Sequence, residues 1–235
     1  MTTSKQIQMV MRDMLFVTWA IEPDVVRKMV DARFELDTKR GPEDREMAFI
    51  SAVCFHVTNL RSGVLPVPNL TFEQVNYRAY VRSGGVPAVF FFDIKVNSRM
   101  ITALTSFLNV PVHYEGIEIT TSPSTAAAVL GYRIQSAGLS VEAVIDQSDE
   151  ASPENKVPPE FITQRFVGYA GAGNAMYRIN VEQPGLLSVT ARVQNATAPG
   201  LQRLGLLTAD QASQPYSTLF VREGLFGADA PVREW

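Results

Sequence analysis

The sequence contains few of the residues on which metal and redox chemistry depend. Its 235 residues include one cysteine, Cys54, and two histidines, His56 and His113. A single cysteine excludes an internal disulfide and a cysteine-rich zinc site. A histidine-based site would need both histidines to converge, and no carboxylate pair has ligand spacing to either, so no metal is expected. Cys54 lies in the apolar run 50–55, which predicts a buried structural thiol rather than a nucleophile.

Charge and long apolar runs are also scarce. Charged residues make up 19% of the chain, and the net charge is -3. Without a basic surface to follow phosphates, nucleic acid is not expected as a partner. No stretch approaches the ~20 apolar residues that cross a bilayer. The first ten residues also lack the apolar core of a signal peptide. These features predict a cytoplasmic protein with no membrane partner.

Hydrophobic patterning predicts a chain made mostly of strands. Hydrophobic residues make up 46% of the sequence, and runs rich in Val, Ile, Phe and Tyr recur between short turns. Segment 47–58 is apolar on both faces, which is typical of a strand inside a sheet. Segments 72–81 and 87–96 flank Gly84-Gly85, and this arrangement predicts a hairpin. A second hairpin is predicted from segments 175–181 and 186–193.

Two short helices are expected between the strands. One begins at Pro23, and the other begins near Asn97, whose side chain can cap its first turn. Many strands at short spacing, without βα alternation, favour a closed or nearly closed antiparallel barrel. We therefore expect an α+β protein, mainly antiparallel β, in which residues 1–235 form one domain.

The known catalytic motifs are missing from the sequence. It has no Gly-x-Gly-x-x-Gly loop, no Walker loop and no Gly-x-Ser-x-Gly elbow. No cofactor is therefore expected. Three charged residues lie in or beside apolar β-rich runs: Arg12, Glu73 and Lys95. They are either solvent-facing positions and ordinary ion pairs, or charges in a barrel mouth that hold a small polar ligand.

The direction of Lys95 depends on strand alternation. A regular strand places Asp93 and Lys95 on one face, opposite Phe90, Phe92 and Ile94. We expect the phenylalanine face to pack in the core and Lys95 to face solvent. The opposite register would place Lys95 inside.

Beyond these patterns, the sequence resembles the uncharacterised YqjF-type family. The resemblance covers most of the chain and is strongest from Arg12 to Glu118. The segments that carry it are 12–16, 24–28, 34–37, the run Phe72-Glu73-Gln74-Val75-Asn76-Tyr77-Arg78-Ala79-Tyr80-Val81, Val110-Pro111, 161–166 and Tyr177-Arg178.

That family in turn is similar to acetoacetate decarboxylase, which implies a decarboxylase-like β-barrel with a few short helices. The resemblance places Arg12 and Glu73 on active-site positions. The decarboxylase has a Pro-Lys-Lys motif whose first lysine forms a Schiff base with the ketone, whereas this chain reads Pro111-Val112-His113. Valine has no nitrogen and cannot form the imine that serves as electron sink. The resemblance therefore implies a ligand cavity and argues against the parent reaction.

We accordingly predict a protein that binds a small organic acid or carbonyl compound in a barrel cavity. Arg12, Glu73 and His113 are the predicted ligand-binding residues, with Arg12 receiving an anionic or carbonyl oxygen and His113 able to exchange a proton. Neighbouring aromatic side chains could wall the cavity, although core packing is expected for each: Tyr77, Phe91 and Phe92.

Two alternatives to this function stay open. The first is a structural or interaction protein whose cavity is vestigial. The second is a lyase in which Lys95 replaces the missing lysine. The related enzymes are often oligomers, which leaves a homo-oligomer open as well.

Overall fold

The computed structural model describes residues 6–63, 69–106, 110–123, 129–150, 157–172 and 175–234. Strands dominate these ranges. They are β1 (Gln6–Ile21), β2 (Glu35–Leu36), β3 (Lys39–Arg40), β4 (Glu46–Ser62), β5 (Leu70–Ser83), β6 (Val86–Val96), β7 (Val112–Tyr114), β8 (Ile117–Pro123), β9 (Val129–Ser136), β10 (Ser140–Glu150), β11 (Val167–Ala172), β12 (Ala175–Glu182), β13 (Val189–Thr197), β14 (Ser217–Asp229) and β15 (Val232–Arg233).

The helices are all short. They are α1 (Pro23–Arg27), α2 (Arg99–Thr105), α3 (Pro159–Thr163), α4 (Pro199–Arg203) and α5 (Ala209–Ala212), with one 3-10 turn at Pro42–Asp44. Strand pairing is antiparallel except where β6 meets β7 and β11. The expected mainly antiparallel β structure with a few short helices is confirmed.

Seven strands pair in a closed ring. The order along the main sheet is β15-β12-β11-β6-β5-β4-β1-β14-β13-β10-β9-β8, and β12 also pairs with β14. That extra pairing joins Val181 to Ala228 and Glu182 to Gly227. The ring therefore consists of β1, β4, β5, β6, β11, β12 and β14. The strands β13, β10, β9 and β8 continue from β14 as a second layer.

The chain packs two hydrophobic clusters on opposite faces of the ring strands. The inner cluster includes Phe16, Phe55, Val89 and Phe226, and it receives Phe161 from α3. The outer cluster joins the ring strands to the second layer; its members include Leu15, Ile50, Val75, Ile134 and Val141. Strand β4 lies between β1 and β5 and contributes side chains to both clusters. This position explains why segment 47–58 is apolar on both faces.

The hairpin of β5 and β6 forms as predicted. Gly84 and Gly85 have φ angles of 56° and 80°, which suit a two-residue hairpin turn that only glycine adopts at low cost. The register then shifts, because Tyr77 pairs with Asp93 whereas Arg78 pairs with Phe91. Phe92 is thus an extra residue in β6, and this bulge reverses the alternation of the side chains on either side of it.

Two local predictions are wrong. The cap of α2 is Ser98, whose Oγ accepts a hydrogen bond from Ile101 N at 3.3 Å, and Asn97 instead contacts β5. The predicted second hairpin does not form either. Strand β12 pairs with β11, β14 and β15, while β13 pairs with β10 and β14. The intervening turn carries the chain out of the ring and into the second layer.

Within the described ranges, no helix has the length and apolar character needed to cross a membrane.

Candidate functional site

A cavity of ≈ 100 Å³ lies inside the ring of strands. Each of the seven ring strands contributes to its lining, which places the cavity in the ring interior. One lining residue from each strand in chain order is Phe16, Phe55, Asn76, Phe91, Gly168, Val181 and Phe226. Thr163 of α3 and the nearby Arg165 and Gln183 also line the cavity and add polar groups to it.

Strand β5 supplies the polar side chains that point into the ring. Asn76 and Arg78 line the cavity, and alternation along the strand sends Val75, Tyr77 and Ala79 to the outer cluster. A polar row on the inner face of a ring strand is costly unless its groups are hydrogen-bonded or meet a ligand.

Arg78 is incompletely satisfied in this cavity. Its Nη2 donates to the Ile162 carbonyl at 2.8 Å and to the Tyr80 hydroxyl at 3.4 Å. Its guanidinium carbon lies 5.5 Å from the centre of the Phe16 ring and 5.3 Å from that of Tyr80. The Nε atom is buried and has no hydrogen-bond partner among the described residues. A buried donor without an acceptor costs about 1–3 kcal/mol, so Arg78 is suited to receive an oxygen from a ligand.

The same end of the cavity carries an excess of positive charge. Arg165 Nη1 lies 2.7 Å from Asp37 Oδ2, and Arg82 Nε lies 3.0 Å from Asp37 Oδ1. Burial lowers the pKa of the Arg165 guanidinium, the bond to Asp37 opposes that change, and the charge of Arg78 lowers the pKa further. Arg78 and Arg165 line the cavity, whereas Arg82 is 37% exposed and lies outside its lining, so Asp37 offsets one of two cavity-lining guanidinium groups. This imbalance favours an anion in the cavity.

A second, larger cavity of ≈ 240 Å³ adjoins the first. The two share Met11, Asn76, Phe91, Val181 and Phe226 as lining residues. Most of the remaining lining is aliphatic or aromatic and includes Ile94, Val96, Ile101, Val110 and Val112. The ring interior thus has a polar end at Arg78 and an apolar end near α2 and β7.

Val112 in this second cavity bears on whether Schiff-base chemistry is possible. The resemblance to acetoacetate decarboxylase implies that the Schiff-base lysine would stand at this residue, and Val112 lines the second cavity from β7. The interior therefore presents an isopropyl group at the place where that chemistry would need an amine.

The predicted residues Arg12 and Glu73 lie on the outer face of the ring. Arg12 pairs with His56 across β1 and β4, and His56 pairs with Glu73 across β4 and β5, so the three form one row. Arg12 is half-exposed, and its Nε lies 2.7 Å from Glu223 Oε2. The structure therefore brings Arg12 and Glu73 onto one face but leaves His56 between them.

Glu73 is the more enclosed of the two. Asn97 Nδ2 donates to Glu73 Oε2 at 3.0 Å, and His56 Nδ1 lies 3.5 Å from Glu73 Oε1. Burial raises the pKa of the Glu73 carboxyl, while a backbone hydrogen bond from Ile119 and the nearby His56 act in the opposite direction. Asn97, which was expected to cap α2, is therefore the hydrogen-bond partner of this carboxylate.

The third predicted residue, His113, contacts Asp93 instead of Arg12 or Glu73. Its side chain is exposed, and Nδ1 lies 2.7 Å from Asp93 Oδ1; Lys95 Nζ lies 2.8 Å from Asp93 Oδ2. The side chain of Lys95 is only 18% exposed. The bulge at Phe92 places Asp93 and Lys95 on the face that carries Val75 and Tyr77, where Lys95 is partly exposed and outside both cavities.

The expected meeting of Arg12, Glu73 and His113 around a central cavity is not what the structure shows. None of the three, and not Lys95, is among the residues that line the two ring cavities. The pleat of the ring strands turns Arg12 and Glu73 to the outer face, and His113 follows Val112 with the opposite orientation. Their assignment as ligand-binding residues stays a prediction.

Sequence reasoning missed Asn76 and Arg78. The available signal was the alternation of Gln74, Asn76 and Arg78 with the apolar Val75, Tyr77 and Ala79. A polar strand face is normally read as facing solvent, and only closure of the ring places it inside. Of the aromatic residues considered for the cavity wall, Phe91 lines both cavities, whereas Tyr77 and Phe92 pack with the outer cluster.

Cys54 is buried, as predicted. Its exposed fraction is 0%, and burial raises the pKa of the thiol. Over the part of the chain that the structure describes, no group of three His, Cys, Asp or Glu side chains is arranged to hold a metal ion.

Comparison with known sequences supports the family resemblance. Residues 8–222 match the model of the DUF2071 family, described as uncharacterized conserved protein. The uncharacterized protein YqjF of Bacillus subtilis (strain 168) is 34% identical over 105 residues, or 43% of this chain and 41% of that protein. The match thus spans about two fifths of the relative's own length. The expected resemblance to the YqjF-type family is confirmed.

Solved structures share the fold at low sequence identity. An acetoacetate decarboxylase-like enzyme from Sphingomonas wittichii RW1 has a TM-score of 0.62 and is 10% identical, covering 98% of this chain and 94% of its own. The enduracididine biosynthesis enzyme MppR, complexed with pyruvate, has a TM-score of 0.59 and is 11% identical. The match covers 99% of this chain and 91% of that chain. Acetoacetate decarboxylase from Legionella pneumophila has a TM-score of 0.62 and is 9% identical. The match covers 95% of this chain and 85% of that chain. These likenesses show the acetoacetate decarboxylase-like fold.

Proposed function

The chain belongs to the DUF2071 family of uncharacterized conserved proteins, and we propose that it binds a small organic acid or carbonyl compound inside the ring of strands. In this proposal the ring is a ligand-binding barrel, and residues 1–235 form one domain. Pairing of β1 with β14 along most of their length supports the single domain. The observation that carries the proposed function is Arg78, which lines the cavity and whose buried Nε has no hydrogen-bond partner among the described residues.

Arg78 would bind the acid through its planar guanidinium. A carboxylate offers two oxygens to the fork of an arginine, and such charge-assisted bonds are stronger than neutral ones. The two cavity-lining arginines, Arg78 and Arg165, outnumber the single carboxylate Asp37, which adds to the attraction for an anion. Asn76 lines the same cavity two residues away on β5, where its amide can donate to a second oxygen of the ligand.

The MppR neighbour supports the class of ligand. That protein is described in complex with pyruvate, a small keto acid, on a fold that this chain shares. The proposed chemistry differs from Schiff-base catalysis, because Val112 stands in the ring interior where the resemblance implies a lysine. Lys95, the alternative amine, is ion-paired with Asp93 outside both cavities.

Ligand-dependent thermal stability tests this proposal. Pyruvate, acetoacetate and simple monocarboxylates should raise the unfolding temperature of the wild-type protein. At a ligand concentration 100 times the dissociation constant, the gain is about 2.7 kcal/mol. For a chain of this length that gain corresponds to roughly 5–11 °C.

Substitution of Arg78 separates specific from general anion binding. Arg78→Met keeps an apolar side chain of similar length and should abolish the shift for every acid. Arg61→Met is the matched control, because Arg61 is exposed and lies outside both ring cavities. Equal shifts in Arg78→Met and Arg61→Met would contradict the proposal.

The alternative is a structural or interaction protein with a vestigial cavity. It predicts no stabilisation by any acid in either the wild-type protein or the Arg78→Met variant. A lyase that uses Lys95 predicts instead a stable adduct on Lys95 after borohydride treatment with a keto acid. Intact mass followed by peptide mapping distinguishes these outcomes.

A further inference from the structure

We infer that the ligand is a carboxylate that carries an apolar tail, with its head at Arg78 and its tail in the ≈ 240 Å³ cavity. This inference rests on the proposed function and specifies the class of ligand. The cavity lined by Arg78 is cationic and the adjoining one is mostly apolar, and the two share five lining residues. A small polar acid such as pyruvate would fill only the first end.

The apolar end is large enough for a substantial group. An apolar cavity of about 150 Å³ lined by aliphatic and aromatic side chains holds a benzene molecule. The cavity beside Val112 is larger and is bounded by Ile94, Val96 and Ile101. A hydrocarbon that enters this cavity gains dispersion contacts with its aliphatic and aromatic lining.

The boundary between the two ends suits a chain that runs from one to the other. Met11, Asn76 and Phe91 line both cavities. The unbranched thioether of Met11 can change conformation at low cost. Asn76 lies two residues from Arg78 on the same face of β5, so the direction of the strand leads from the guanidinium toward the apolar end.

A series of straight-chain acids tests the inference. Acetate, butyrate, hexanoate and octanoate differ only in methylene count, and each methylene buried in the apolar end should tighten binding about three- to fourfold. The increase should stop once the cavity is full. Hexan-1-ol is the control for the head, because it has the tail without the charge and should bind far more weakly than hexanoate.

Two cavity-filling variants test the position of the tail. Val112→Phe places a ring in the apolar end and should remove the dependence of affinity on chain length. Ile101→Phe on α2 fills the same cavity from another element. It replaces Val112→Phe in this test if far-UV circular dichroism shows that Val112→Phe does not fold. Titration calorimetry provides the affinities.

The outcomes separate the inference from the proposed function. Binding of all four acids with equal affinity, still dependent on Arg78, would leave the proposed function standing and overturn the inference. An undiminished dependence on chain length in both cavity-filling variants would overturn it too. Absence of binding by every acid would refute the proposed function itself. Affinity that rises with chain length in wild type and is flat in Val112→Phe is the expected result.

Discussion

Replacing Asp37 with asparagine should strongly destabilise the fold. Asp37 and Arg165 form an ion pair of 2.7 Å whose side chains are 4% and 3% exposed, and Arg82 contacts the other oxygen of Asp37. Asparagine keeps the shape but loses the charge, and its amide NH2 would face guanidinium donors. The substitution therefore leaves a buried cation without its counter-ion. Removing one partner of a buried pair costs about 3–5 kcal/mol.

That loss is large for this chain. Domains have unfolding free energies of about 5–15 kcal/mol, so the substitution would remove a substantial fraction. At roughly 2–4 °C per kcal/mol, the unfolding temperature should fall by about 6–20 °C. Denaturant unfolding followed by intrinsic fluorescence measures the same loss, with the slope of free energy against denaturant unchanged.

Two further variants show whether charge burial is the cause. Arg82→Met breaks the partly exposed contact to Asp37 and an exposed hydrogen bond to the Gly85 carbonyl, and should cost no more than about 1 kcal/mol. The double variant Asp37→Asn with Arg165→Met removes the buried cation as well, and should recover part of the stability that Asp37→Asn loses. The reasoning is refuted if Asp37→Asn costs as little stability as Arg82→Met. It is also refuted if the loss in the double variant equals the sum of the losses in Asp37→Asn and Arg165→Met alone.

Three other predictions follow from the described contacts. Burial raises the pKa of Glu73, so the folded state binds this proton more tightly than the unfolded chain, and ionised Glu73 costs stability above its folded pKa. Glu73→Gln should therefore stabilise the protein at pH 7, with the gain fading as the pH falls through the raised folded pKa and absent below about pH 4; a pH-independent effect would contradict this. Cys54 should react with a thiol reagent only as fast as the protein unfolds, and labelling at the rate of the denatured chain would show otherwise. Val112→Lys should place an amine in the ring interior and give a borohydride-reduced adduct with acetoacetate, whereas the wild-type protein should give none, as intact mass will show.

Much of the fold could be predicted from local patterns. The two apolar faces of segment 47–58 identified an internal strand, and the paired glycines at positions 84 and 85 identified the hairpin of β5 and β6. The second hairpin could not be identified in this way. Its two strands have suitable patterns and a turn between them, but β12 joins the ring and β13 joins the second layer. The residues of a segment do not by themselves indicate which distant strand that segment will pair with.

For the candidate site, too, some properties could be predicted from the sequence and others were decided by the tertiary structure. The sequence alone determined that Cys54 is buried in an apolar strand, and that position 112 lacks the amine that Schiff-base chemistry requires. The first conclusion depends on residue type and immediate neighbours, and the second depends on the resemblance to acetoacetate decarboxylase. The face on which each charged residue lies was decided by tertiary structure. One extra residue at Phe92 reversed the direction of Lys95, and pairing of β12 with β14 enclosed the polar face of β5. A strand pattern specifies that two faces differ, but closure of the sheet decides which face is inside, and this is why Arg78 rather than Arg12 lines the cavity.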